Sequence, residues 1–213
     1  MTDPILDHAY EPPEEDGVRL DNVAFAIWFR PRTSFRFILR HCPGRYILLL
    51  LLLAGLAQLV DEHMAMYQWW YDNYLLLLAL LPLAVIISGP VIHYIFAWIL
   101  QRTGRWINGP AKVMDLLAVL AWSSLPSIVS STLLFAIILL SRVVDNGLYI
   151  GWMLDIHQYL SLLLTLWGLI LIIIGISEAQ RCSLLLALGN VIGLVFALFL
   201  PLALLHFGFG SFL

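Results

Sequence analysis

Charge is scarce in this chain: Asp, Glu, Lys and Arg make up 12% of its 213 residues, while 62% are hydrophobic. A soluble domain carries roughly a quarter charged residues and is about half apolar. The deficit excludes an ordinary water-soluble fold, and a mean hydropathy of +0.92 agrees. Cysteine is scarce too: Cys42 and Cys182 are the two, and neither has a second Cys, or a His at ligand spacing beyond the adjacent His41, so no zinc site is expected. No cleavable leader is expected either. Residues 1–21 hold seven acids and no apolar run, which is the opposite of a secretory signal, so the segment is expected to stay on the protein.

The patterns that carry reaction chemistry are absent as well. A nucleophile needs an adjacent base oriented by a third group, and the chain contains no GxSxG elbow, no HExxH helix and no pair of acids inside an apolar run. Gly104 and Gly109 lack the spacing and the Gly-Lys-Ser/Thr ending of a phosphate loop. No enzyme activity and no cofactor are expected.

What is present is hydrocarbon. A membrane-crossing helix needs about 20 mostly apolar residues, and five stretches qualify, at 46–66, 75–100, 115–140, 159–177 and 183–205. The expected fold class is an all-α integral membrane protein, a bundle of five transmembrane helices over 46–205 preceded by a short amphipathic interfacial helix. Gly89 and Pro90 break the second stretch and Pro126 the third, because proline removes a backbone donor.

Lys and Arg in short flanking loops choose the orientation of such a bundle. Arg19, Arg30, Arg32, Arg36, Arg40, Arg45, Arg102, Arg105, Lys112 and Arg181 fall on one side of the five stretches and Arg142 alone on the other. The N-terminus is therefore expected in the cytoplasm, and the short tail 206–213 outside. Both cysteines then face a reducing compartment, where no disulfide forms. Tyr67, Trp69, Trp70, Tyr71 and Tyr74 crowd the first outer loop, and Tyr149 and Trp152 the second, the depth at which amphipathic rings settle. Asp61, Glu62, His63, Met64 and Met66 mix soft and hard ligand groups, but one imidazole and two thioethers define no coordination geometry, so a solvated helix end is expected rather than a metal site.

Residues 1–21 read as a disordered acidic tail, since Pro-Pro among acids buries too little to offset chain entropy. Residues 22–45 differ. Trp28 and Phe35 alternate there with Arg30, Arg32, Arg36 and Arg40, broken once at Pro31, and Thr33 or Ser34 can cap a helix after the break. The pattern suits a membrane surface, with arginine heads at anionic phosphates and rings in the acyl boundary; the same residues also suit a protein partner on the cytoplasmic face. Nucleic acid is not expected, because the following span holds the segment at a bilayer.

Polar groups inside the apolar stretches are expensive and so informative. His93 lies in the second; Ser123 and Ser127, extended by Ser131, form an i, i+4, i+8 stripe on the third; Glu178 ends the fourth; Asn190 lies in the fifth. His93 and Asn190 stand at depths that allow a shared hydrogen bond, and Glu178 is expected to pair with Arg181. These groups either line a path or satisfy packing, as Gly189, Gly193 and Ala197 do by letting helices, or a second copy of the chain, approach closely.

Residues 28–36 (WFRPRTSFR), 113–129 (VMDLLAVLAWSSLPSIV) and 170–188 (ILIIIGISEAQRCSLLLAL) resemble the bacterial branch of the Yip1 family of polytopic membrane proteins. The resemblance covers 22–205, with Ser-Ser-Leu-Pro and Gly-Ile-Ser-Glu its best markers. It implies five spans, a cytoplasmic N-terminus and residence in a bacterial plasma (inner) membrane. Eukaryotic members of that family are associated with vesicle trafficking and Rab-type GTPases, bound partly through an N-terminal region. Here that region ends near residue 45 and has no Asp-Leu-Tyr-Gly-Pro sequence, so GTPase binding does not carry over. The expected function is a non-enzymatic membrane protein that organises the bilayer or recruits partners. A small transporter, channel or lipid-moving protein, and a subunit of a larger membrane complex, are the alternatives.

Overall fold

The computed structural model describes residues 17–41, 44, 46–65, 74–143 and 147–210, and the regular elements among them are all helices, joined by short turns. The acidic tail to residue 16, Cys42, Arg45, the aromatic loop at 67–71 and the side chains of the Asp61 to Met66 cluster lie outside the described residues.

Among the described residues three stretches are long and apolar enough to cross a membrane: Leu80–Ile107, Val113–Leu140 and Trp152–Gln180. Two shorter apolar helices, Ile47–Leu59 and Leu184–Leu200, accompany them. The elements are α1 (Val23–Phe29), α2 (Pro31–His41), α3 (Ile47–Ala65) and α4 (Tyr74–Ile86), then a π-helical turn (Ile87–Val91) leading into α5 (Ile92–Gly104). A 3₁₀ turn, Arg105–Ile107, leads to α6 (Val113–Ser123), α7 (Leu125–Val143), α8 (Gly147–Gln180) and α9 (Leu184–Gly210).

α6 is the centre. Every side chain from Leu116 to Ser123 is buried, as expected of a helix apolar all round, and α5, α8, α3 and α2 pack about it. Its start is set by Asp115, whose Oδ2 accepts the Lys112 N–H at 2.9 Å. Its end is Ser124, where the third stretch, predicted as one helix over 115–140, divides in two. Pro126 then falls in the first turn of α7, where the missing donor costs no ladder bond. α8 begins at Gly147, well before the residue 159 expected from hydropathy, so part of what reads as outer loop is helix.

α1 and α2 meet at Arg30, and Pro31 opens α2, earlier than a Thr33 or Ser34 cap would place it; Ser34 Oγ instead donates to the Arg30 carbonyl at 2.9 Å. α2 then docks on α8 and α6. Phe35, Phe37 and Ile38 are fully buried there with Val23 and Ile27 of α1, in one core with Leu100, Leu116, Val119 and Ile176. Phe35 is expected at the membrane surface; it faces the bundle instead, because Gly175 and Val119 leave a hollow that fits its ring.

Candidate functional site

The polar residues singled out by sequence separate into a cavity, a junction and two helix-to-helix clasps. The cavity, about 510 Å³ in volume, lies between α3, α5, the α6–α7 junction and α8. His93, Ser123 and Ser127 line it together with Gln58, Ser124 and Thr165. Three of the five intramembrane candidates therefore share one space, and Glu178 and Asn190 stand apart from it.

Local geometry explains who reaches the cavity. Pro90 lacks an N–H, and the α4–α5 ladder opens into the π turn around it. Gly89 lies there against α3: a β-carbon on it would meet the Leu51 carbonyl and stand 3.3 Å from Gly55 Cα. Ser88 Oγ lies 3.2 Å from Gly55 O across the same crossing and 2.8 Å from Ala84 O one turn back on its own helix, and shares its proton between them. One turn on, His93 Nδ1 lies 2.7 Å from the Gly89 carbonyl. A carbonyl only accepts, so Nδ1 carries the proton and the neutral ring keeps Nε2 as an acceptor.

On the opposite wall the predicted serine stripe is interrupted. It assumes a continuous helix, and the break at Ser124 rephases α7 relative to α6: Ser123 and Ser131 are buried while Ser127 is exposed. Ser124 Oγ donates back to Ala121 O at 2.7 Å. Among the described residues Ser123 Oγ has no hydrogen-bond partner, nor do the buried indole nitrogens of Trp122 and Trp167.

The clasps are partly new. Asn190 does not reach His93; it joins Thr103 by a short side-chain hydrogen bond and donates through Nδ2 to Leu100 O at 3.3 Å, tying α9 to α5. His157 of α8 lies 3.0 Å from the Ser130 carbonyl and 3.3 Å from Ser130 Oγ, both measured from Nε2. The carbonyl fixes the proton on Nε2, which makes that nitrogen a donor and leaves it no lone pair with which to activate Ser130 as a nucleophile. His157 is missed by sequence because it sits in the expected outer loop; the absence of Pro from 152 to 180, in a stretch that stays mostly apolar around Asp155, His157 and Gln158, is the signal that would have found it.

The junction gathers at the end of α8. Glu178 pairs with α2, not with Arg181: Arg36 lies 3.5 Å and Arg32 4.0 Å from its carboxylate. Arg181 adopts the left-handed conformation, φ 52°, that turns the chain away, and Ser177 Oγ spans this turn by donating to Cys182 O at 2.6 Å. Burial pushes the Cys182 thiol pKa up. Gln180 is buried with both amide atoms unpartnered, seated against Gly104 and Gly109, where any side chain would collide with it. Those glycines serve as a seat, with no phosphate-binding geometry. Around this junction Trp28 is half-buried, and Arg30 and Arg40 point outward with the Phe25–Phe29 pair.

Over residues 25–205 the chain matches the family described as the Yip1 domain. No curated protein and no solved structure matches it.

Proposed function

The chain belongs to the Yip1 domain family, and from that premise we propose that it is a non-enzymatic membrane protein of five spans that organises the bilayer or recruits partners through α1 and α2. On this reading the N-terminus is cytoplasmic and the C-terminus outside, in a plasma (inner) membrane; ten basic residues against Arg142 support that threading.

The observation that carries the proposal is the division of α1 and α2 into two faces. A helix that merely floats in the headgroups keeps its apolar face for lipid. Here Phe35, Phe37 and Ile38 are given to the bundle, and what the segment keeps outside is Phe25 and Phe29, 70% and 72% exposed with ring centroids 5.1 Å apart, and along its length the exposed Arg30, Arg32 and Arg40. Rings and guanidinium groups held rigidly suit anionic headgroups or a protein surface, because little entropy is lost on contact.

Photo-crosslinkers placed at Phe25 and Phe29 in native membranes test this. Adducts to anionic lipid, or to one recurrent protein, support it; adducts to neither overturn it. The threading is tested separately with Trp106→Cys, at a position 82% exposed: impermeant thiol reagents applied to intact cells should leave it unmodified, and labelling from outside would reverse the orientation.

The cavity favours a second reading, a small transporter or lipid-moving protein, since broken helices with polar groups at depth are what such sites use. Liposome flux of ions and labelled lipids tests it.

A further inference from the structure

Serine and threonine inside a helix ordinarily return their hydroxyl to a carbonyl one turn back. Thr103 does so to Ile99 at 3.1 Å, Thr132 to Ile128 at 2.7 Å, and Ser124 to Ala121 at 2.7 Å. Ser123 does not. It is 3% exposed, lines the cavity, and its Oγ is unpartnered, although a buried hydroxyl without a partner is costly. Across the space, His93 has committed Nδ1 to Gly89 and offers Nε2 as an acceptor.

We propose that this cavity holds the polar end of an uncharged, hydroxyl-bearing lipid, hydrogen-bonded by Ser123 and His93. The proposal rests on the second reading above, that the cavity admits a molecule, and narrows the occupant. Among the described residues no Asp, Glu, Lys or Arg lines the space, and an ionised headgroup buried without a counter-charge is strongly disfavoured. A hydroxyl satisfies both walls: it donates to His93 Nε2 and exchanges a hydrogen bond with Ser123 once a turn about χ1 brings the Oγ, closed off and unpartnered as it stands, to the cavity face. Phe96, Leu120, Leu164 and Ile172 supply the apolar remainder, and about 510 Å³ is the size of an ordinary ligand site. The entrance is lateral. Leu166 and Leu169 line the cavity and are 50% and 42% exposed, so the wall they form on the apolar α8 is open, and an occupant arrives from the bilayer.

The test uses the full chain in nanodiscs with a long-chain fatty alcohol carrying a diazirine, compared with the matching alkane and the matching carboxylate. The alcohol should label cavity residues such as Phe96 and Ile172 in preference to both comparators. Ser123→Ala and His93→Leu should each lower that labelling about three- to tenfold, the worth of one hydrogen bond, while Ser123→Thr, which keeps the hydroxyl, retains it. Gly168→Leu should abolish it: a β-carbon there is in ordinary contact, 3.5 Å from Ser123 O, and the longer side chain occupies the space. Unchanged thermal unfolding shows that each variant is folded. Labelling no greater than that of the alkane or carboxylate, or unchanged in Ser123→Ala and His93→Leu, overturns the proposal. So does labelling confined to outward residues such as Leu185 and Phe196. Labelling without flux removes the transport reading and leaves this one; flux without labelling does the reverse.

Discussion

The Phe35 ring occupies the hollow that Gly175 leaves on α8: its Cε1 and Cζ lie 3.1 Å from where a β-carbon on Gly175 would stand, and Val119 closes the other side at 2.5 Å. This contact holds the N-terminal helices to the bundle, since burying one large apolar side chain contributes about 1.5 to 3 kcal/mol.

Gly175→Leu should therefore destabilise by about 1 to 3 kcal/mol through overpacking and release α2, so that trypsin cuts after Arg32 and Arg36 faster than in the wild type. Adding Phe35→Ala should restore part of the stability, because it vacates the space the leucine needs. Equal cleavage in all three proteins would show that this contact does not hold α2.

The ion pairs beside it should matter less. Arg32 and Arg36 are about half exposed, at 57% and 40%, and such pairs typically contribute under about 1 kcal/mol. Glu178→Arg should nonetheless loosen α2 by placing three like charges together, and Glu178→Arg with Arg36→Glu should recover most of the loss. A double-mutant cycle on unfolding temperature gives the coupling, which should shrink as salt is raised.

Gly89→Ala should be among the most damaging small substitutions. The atom that a β-carbon meets is the backbone carbonyl of Leu51, which cannot rotate aside, so the α3 crossing must open at a cost of about 3 kcal/mol or more. Unfolding in detergent reports it, and a wild-type midpoint would refute the close crossing.

Asn190→Leu should cost far less, about 0.6 to 1.7 kcal/mol, the worth of an interhelical side-chain hydrogen bond in membranes. Thr103 keeps its bonds to Ile99 and Leu100 when the amide is gone, so no orphan is created. A loss as large as that of Gly89→Ala would mean that the clasp orders more than α5 and α9.

Cys182 should alkylate slowly. Only the thiolate is nucleophilic, and burial raises the pKa of this thiol, so less thiolate is present at pH 7 than in a free cysteine. In a Cys42→Ser background the rate should keep climbing with pH beyond the point where a small free thiol levels off, and denaturation in SDS should abolish the difference. A rate equal to that of the free thiol at pH 7 would show an unhindered, solvated sulfur.

The apolar stretches, the breaks at Pro90 and Pro126 and the helix boundary at Pro31 are legible in sequence because each comes from a property of single residues or short windows: transfer into hydrocarbon, or the missing N–H of proline. His93, Ser123 and Ser127 are legible as costly groups for the same reason. Their meeting in one cavity is not, since it depends on how five helices are rotated about their axes, and an apolar helix gives no periodic signal of its rotation. The partners of Glu178 escape a local reading too. The nearest cation in sequence is Arg181, but the left-handed turn there carries that side chain off, and the docking of α2 supplies two others from across the chain. Phe35 is deceptive by itself: a ring between arginines reads as interfacial until the hollow at Gly175 is known.

The π-helical segment Ile87–Val91 has a consequence for the whole second apolar stretch. A turn of this kind holds one residue more than regular winding, and each residue advances an α-helix by about 100°. The surplus residue is thus a rotation built into the chain by counting: everything from Ile92 onward is presented on a different compass bearing from the one continuous winding would assign. Delete a single position among 87–91 and His93 turns out of the chamber it shares with Ser123, and Thr103 turns away from Asn190, with no change in which side chains the helix carries.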